Sequence, residues 1–167
     1  MQYSIVFSSR TGNTAVLAEA LKDCLPEAGR VFFGPPGEEA LSASLLCVGF
    51  WTDKGLCDEQ TAFFLGKLHG KQVALFGTAG FGGEQGYFDS ILARTKTQLP
   101  ADNILLPGFM CQGKMQPAVR ERYEAMLRQS PGDKRMTDMI ENFDRALTHP
   151  NQADLARLRE WVAALPL

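Results

Sequence analysis

Ser8-Ser9-Arg10-Thr11-Gly12-Asn13-Thr14 follows the apolar run Tyr3–Phe7 without a break and opens a helical pattern that reaches about Leu25. Strand, hydroxyl-rich turn with one glycine, then helix is the order in which a backbone presents free N–H groups to an anion. The first N–H groups of a helix have no partners within it, and the aligned peptide dipoles make that end electropositive. Ser9, Thr11 and Thr14 add hydroxyl donors, and Gly12 lets the main chain come close. The turn is neither GxxxxGK[ST] nor GxGxxG, and no lysine follows its glycine, so the triphosphate and dinucleotide loops are set aside. Two readings remain: a cradle for one phosphate monoester, or the polar N-cap of an ordinary helix, where Ser, Thr and Asn are preferred.

The chain has 167 residues, 45% of them hydrophobic and 22% charged, with a net charge of -2. That length suits one domain, 1–167, with a sheet core over 2–130 and extra helices over 133–166. The charge balance argues against a nucleic-acid binder, which needs a basic surface. No apolar stretch reaches the length of a membrane span, and Met1–Phe7 enters a strand where a signal peptide would carry a charged start. The expected compartment is the cytoplasm, and the expected state a monomer rather than an obligate oligomer. Cys24, Cys47, Cys57 and Cys111 are scattered and read as free thiols. Cys24 and Cys47 lie in apolar surroundings, Cys57 and Cys111 in expected loops. His69 and His149 are isolated, so no metal or catalytic triad is expected.

Apolar β-type runs recur at Tyr3–Phe7, Val31–Phe33, Ser44–Phe50, Gln72–Gly77 and Asn103–Met110. They are short, nearly continuous and separated by helical patterns, as parallel strands covered on both faces are. Leu17, Leu21, Cys24 and Leu25 share one helical face, Phe88, Ile91, Leu92, Thr95 and Leu99 a second, and Val119, Tyr123, Met126 and Leu127 a third. Five βα units predict a doubly wound α/β three-layer sandwich: a five-stranded parallel sheet, order 2-1-3-4-5, with helices on both faces. The Pro- and Gly-rich connection Gly34–Ala43 holds little or no helix. Two further amphipathic helices follow, carrying Met136, Met139, Ile140 and Phe143, then Leu155, Leu158, Trp161 and Val162. Asn151 is the expected cap of the last; both read as packing on the sheet, with partner docking as the alternative for the Met-bearing helix.

In such sheets ligands bind outside the carboxyl ends of the strands, where strand order reverses. Segments leaving strands one, three and four should converge there. The third reads Trp51-Thr52-Asp53-Lys54-Gly55, and Trp51 either closes a core strand or offers its indole face to a heteroaromatic ring. The fourth reads Thr78-Ala79-Gly80-Phe81-Gly82-Gly83, either a low-bulk wall with one aromatic or a mobile turn. Asp53, Asp58, Glu59, Glu84 and Asp89 are expected around the mouth against Arg10, Lys54 and Lys114, a mild negative excess. A phosphate cradle with two loops offering aromatic walls describes a flavin mononucleotide (FMN) site.

At these residues the chain resembles the flavodoxin family. Ser9-Arg10-Thr11-Gly12-Asn13-Thr14 is similar to its phosphate loop S/T-x-T-G-x-T, Trp51 stands in its flavin-flanking loop, and the likeness extends over about 2–130. Val48–Gly55, Phe76–Thr78 and Cys111–Lys114 resemble more narrowly a bacterial subgroup, some members of which are associated with bilirubin reduction. The resemblance implies that Ser9, Arg10, Thr11, Gly12, Asn13 and Thr14 hold the phosphate. It also implies that Trp51, Thr52 and Asp53 flank one side of the ring and Thr78, Ala79, Gly80, Phe81 and Gly82 the other. The chain departs from the family pattern at Thr52, where a glycine commonly follows the aromatic, and in the glycine-rich fourth loop. The implied function is electron transfer between a reductase and a downstream redox enzyme through transient protein partners. The alternatives are an FMN-dependent NAD(P)H:quinone-type oxidoreductase and, since fold does not fix function, a flavin-free interaction domain.

Overall fold

The computed structural model describes all 167 residues, and their continuous apolar runs form its central strands. Strand β1 (Tyr3–Phe7) lies between β2 (Arg30–Gly34) and β3 (Leu45–Asp53), both parallel to it, and β3 pairs with β5 (Gln72–Ala79). The outer position beyond β5 is shared by β6 (Ile104–Leu105) and β7 (Phe109–Gln112), which gives the expected order 2-1-3-4-5 with a divided last strand. The break falls at Leu106-Pro107-Gly108. Proline cannot donate to a ladder, and the Pro107 carbonyl instead accepts from the Trp161 indole N–H at 2.8 Å. One addition is a short antiparallel strand, β4 (Leu56–Cys57), folded back on the end of β3.

Alternation along the strands divides the core between two faces. Ile5, Leu45, Cys47 and Phe76 meet Leu17 and Leu21 of α1 (Asn13–Cys24) on one side. Val6, Val48, Phe50 and Leu75 meet α2 (Glu59–Leu65) and α3 (Gln85–Lys96) on the other, through Phe64, Leu65, Phe88 and Ile91. Each such side chain, fully buried, contributes about 1.5–3 kcal/mol relative to exposure. The connection before β3 holds one 3-10 turn, Glu38–Ser42.

The fifth unit does not return to the sheet as expected. Helix α4 (Pro117–Gln129) buries only Tyr123 and leaves Met126 exposed; it packs on α5 (Lys134–Ala146) as a helical hairpin. Its apolar stripe is narrow, hemmed by Arg120, Glu121, Arg122, Glu124 and Arg128, so it cannot close a sheet face. The place beside α1 is taken by α6 (Gln152–Ala163), whose Leu158 and Val162 join the α1-side core. Asn151 caps α6 as expected, in a reciprocal box with Asp154. No helix is long and apolar enough to cross a membrane.

Candidate functional site

Where β1 ends, the chain leaves the sheet along a backbone whose donors are unused. The N–H groups of Ser9, Arg10, Thr11, Gly12, Asn13 and Thr14 donate to no acceptor in the protein, while Ala15 N–H is already taken by Ser9 Oγ at 3.2 Å. Gly12 makes this possible: it stands at the helix N-cap with φ 91°, a conformation strained for any side chain. Asn13 is buried, and its Nδ2 donates to the Lys114 carbonyl at 2.8 Å and to Thr11 Oγ1 at 3.1 Å. Its Oδ1 is a buried side-chain atom left without a partner. Gly113 has to be glycine here, because a Cβ would come within 2.5 Å of Asn13 Nδ2.

Thr14 faces the other way. Its hydroxyl is wholly buried, 3.1 Å from the Phe50 carbonyl and 3.1 Å from Thr78 Oγ1. Thr52 Oγ1 in turn donates to the Thr78 carbonyl at 2.9 Å. These bonds tie the first, third and fourth loops into one unit.

Beyond Trp51 the strand continues to Asp53, turns at Lys54 (φ 50°) and Gly55 (φ 84°), and returns as β4. Two successive positive φ values fit the twist of a tight hairpin. Trp51 is half-buried, with the Arg10 guanidinium carbon 5.4 Å from its ring centroid. On the opposite side Gly80 approaches Met115 so closely that a Cβ would lie 2.6 Å from its sulfur. The Gly80 carbonyl accepts from Gln112 Nε2 at 3.0 Å and Asn142 Nδ2 at 3.1 Å, which anchors α5 to the fourth loop.

These segments enclose a cleft of about 610 Å3. Arg10, Thr11 and Asn13 form its first wall; Trp51, Thr52 and Asp53 the second; Thr78, Ala79 and Gly80 the third. Ser9, Gly12 and Thr14 belong to the same loop but do not line the cleft, and Phe81 and Gly82 turn away from it. Those two line a separate hollow of about 490 Å3 facing Lys134, Met139 and Asn142 of α5. The fourth wall was not expected from the sequence: Met115, Val119 and Arg122, from the strap after β7 and from α4. The spacing of Val119 and Tyr123 identifies a helix but not its neighbour; the clue was Pro117, which starts a helix immediately after the Gln112–Lys114 edge.

The charge of the cleft is the reverse of the one expected. Four cations, Arg10, Lys54, Lys114 and Arg122, line it against a single carboxylate, Asp53. Asp58 is buried as the cap of α2, accepting from Thr61 N–H and Oγ1 at 3.1 and 2.8 Å. Glu59, Glu84 and Asp89 lie outside the lining.

The thiols are also redistributed. Cys24 is exposed, whereas Cys57 and Cys111 are buried in β4 and β7 rather than in loops. Burial pushes Cys57 up to about 11 and Cys47 to about 12, and raises Cys111 further, so none is a thiolate near neutral pH. His69 meets Asp102 and His149 meets Asp154, each as an ordinary pair. No cluster of side chains is arranged to hold a metal ion.

The family model of the flavodoxin domain matches residues 4–163. A flavodoxin-like domain-containing protein BilS from Clostridium symbiosum is 42% identical, the match covering 97% of this chain and 94% of that one. Oxidised flavodoxin 2 from Bacillus cereus superposes with a TM-score of 0.60 at 15% identity, covering 98% of this chain and 97% of the other. A flavoprotein in complex with FMN from Lactobacillus acidophilus gives a TM-score of 0.51 at 11% identity, over 65% and 92%. Sequence match over nearly the full length, the parallel sheet order and a cleft at the reversal point agree: the chain belongs to the flavodoxin family.

Proposed function

We propose that the chain is an FMN-binding electron-transfer protein that shuttles electrons between a reductase and a downstream redox enzyme. The observation that carries this reading is the row of six unpaired N–H groups, Ser9 to Thr14, at the head of a cleft walled by Trp51. An anion of phosphate size satisfies such a row without any side chain having to ionise. Membership of the flavodoxin family supports FMN as the molecule that brings the phosphate.

FMN, when bound, supplies reversible transfer of one or two electrons. The rest is the work of this chain's residues. Ser9–Thr14 hold the phosphate by backbone donors, with Thr11 adding a hydroxyl. Trp51 covers one side of the ring system and keeps water from it; Thr52, Asp53 and Thr78–Gly80 supply its polar edge. The peptide after Trp51 is held in place: Thr52 pairs with Cys57 in the hairpin and its hydroxyl is bonded to Thr78. Turning that peptide over on reduction would break the bond that its carbonyl accepts from Asp58 N–H at 3.1 Å. The four cations favour negative charge on a reduced ring, which raises its potential relative to an acidic site. The likeness to the BilS proteins and to the subgroup associated with bilirubin reduction makes a bilirubin-reducing enzyme the proposed downstream partner.

The test is spectroscopic. Purified protein mixed with FMN should yield a yellow complex of one FMN per chain that survives gel filtration. It should consume NADPH at a useful rate only when a separate reductase is added. Absence of FMN uptake overturns the cofactor, and rapid turnover with NADPH and a quinone alone overturns the carrier role.

A further inference from the structure

The cleft carries more positive charge than a bound FMN would use. Arg10, Lys54, Lys114 and Arg122 are all exposed, and none takes part in any of the ten ion pairs of the molecule. On the same helical hairpin Arg120 pairs with Asp144 and Glu124, and Lys134 with Asp138, whereas Arg122 has no carboxylate partner. A phosphate monoester brings at most a dianion, so with oxidised FMN the four cations against Asp53 still leave a positive balance. This holds in a chain whose net charge is -2.

The four cations come from four different segments: the phosphate loop, the tip of the β3–β4 hairpin, the strap after β7, and α4. Each is an exposed side chain on a different segment, so the charge is spread over the lining of the cleft. An isolated exposed ion pair contributes little. Charges spread over a rim act together only on an extended surface of opposite sign, where they steer encounter and fix register. Between them lie the half-buried Trp51, Met115 and Val119. An apolar centre inside a charged rim is the layout of a protein-docking patch.

We infer that this basic surface docks a partner protein whose own contact surface is acidic. The inference rests on the reading of the cleft as an FMN site, since such a partner would approach the exposed edge of the flavin.

The experiment is an NMR shift titration of the 15N-labelled, FMN-loaded protein with two probes, the acidic haem protein cytochrome b5 and the basic cytochrome c. At low salt cytochrome b5 should shift the amides of Lys54, Lys114 and Arg122. Its affinity should fall about tenfold when salt is raised past the point where the Debye length drops below ~10 Å. The variant Lys54→Gln with Arg122→Gln should weaken it several-fold while circular dichroism stays unchanged. Cytochrome c should leave these amides where they are. Binding of cytochrome c at the rim, or failure of cytochrome b5 to bind there, overturns the inference. So does tighter binding of citrate than of cytochrome b5, which would assign the cations to a small polyanion. Lack of FMN uptake, read from absorbance, overturns the flavin reading alone; the same titration on the free chain then decides what the cations prefer.

Discussion

The guanidinium carbon of Arg10 lies 5.4 Å from the centroid of the Trp51 ring, so the first and third loops meet across the mouth of the cleft. A cation over an indole contributes about 0.5–2 kcal/mol, most when water is excluded. The ring that would stack a flavin is thus held electrostatically against the phosphate loop. Trp51→Ala should weaken FMN by roughly 1–3 kcal/mol, the stacking and burial of one large aromatic, and should also move the flavin midpoint potential. Fluorescence titration gives the first quantity and a dye-linked redox titration the second. An unchanged potential would reduce Trp51 to a wall.

The phosphate assignment makes a sharper demand. Thr11→Ala removes one hydroxyl, and Gly12→Ala forces a side chain into φ 91° at the loop where the N–H groups are free. Each should weaken FMN by about 1 kcal/mol or more while leaving riboflavin, which has no phosphate, nearly unaffected. Equal losses for the two ligands in parallel titrations would sink the assignment.

How much of this was legible beforehand depends on the kind of signal. Tyr3–Phe7 and Gln72–Gly77 read as central strands because burial on both faces leaves no room for polar alternation. Asn151 read as a cap because its side chain answers to neighbours three residues away, a purely local matter. The division of the last strand was not read: Asn103–Met110 passes as one apolar run, although Pro107 cannot sit in a ladder. Three things were not local and were missed. The narrow stripe of α4 fits any apolar neighbour, and α6 competed for the sheet with the better face. Asp58 was drawn away from the mouth to cap α2, which left the cleft basic. Phe81 follows Gly80, whose carbonyl is pinned by Gln112 and Asn142, and so turns toward α5.

Gly113 and Asn13 form a tight seam between the strap and the phosphate loop. A Cβ at 113 would meet Asn13 Nδ2 at 2.5 Å and Cγ at 2.9 Å. Gly113→Ala should therefore destabilise the fold by about 1–3 kcal/mol, the usual cost of overpacking, and should loosen FMN as Asn13 is displaced. Combining it with Asn13→Ala removes the two closest contacts and leaves only Asn13 Cβ at 3.1 Å. The double variant should be more stable than the sum of the two singles predicts, as read from urea unfolding. Strict additivity would show that the seam is slack in solution.

Thr14 joins three loops through one hydroxyl. Thr14→Val keeps the shape but leaves the Phe50 carbonyl and Thr78 Oγ1 each short of a partner in a buried site. The expected cost is about 1–3 kcal/mol in stability, the penalty for unsatisfied buried groups. Thr14→Ser should recover most of it. If Val were tolerated as well as Ser, the loops would have to be held together by packing alone.

Asp154 provides a pH signature remote from the cleft. Its carboxylate is buried at the head of α6, where it accepts from Asn151 N–H at 2.9 Å and pairs with His149 and Arg157, each at 2.6 Å. Burial by itself raises its pKa, but the Asn151 N–H, His149 and Arg157 outweigh that and hold it below the ordinary carboxylate value. A group lowered in the folded state is protonated more readily in the unfolded chain. Its contribution is therefore complete above the unfolded value of about 4 and is lost as pH falls through the lower folded one. Asp154→Asn removes the charge but keeps the shape. Urea unfolding should find the variant less stable by roughly 1–3 kcal/mol near neutral pH, with the gap to the parent closing as pH drops below about 4. A gap of constant size down to about pH 3 would mean that the carboxylate's charge is not what fastens α6 to its cap.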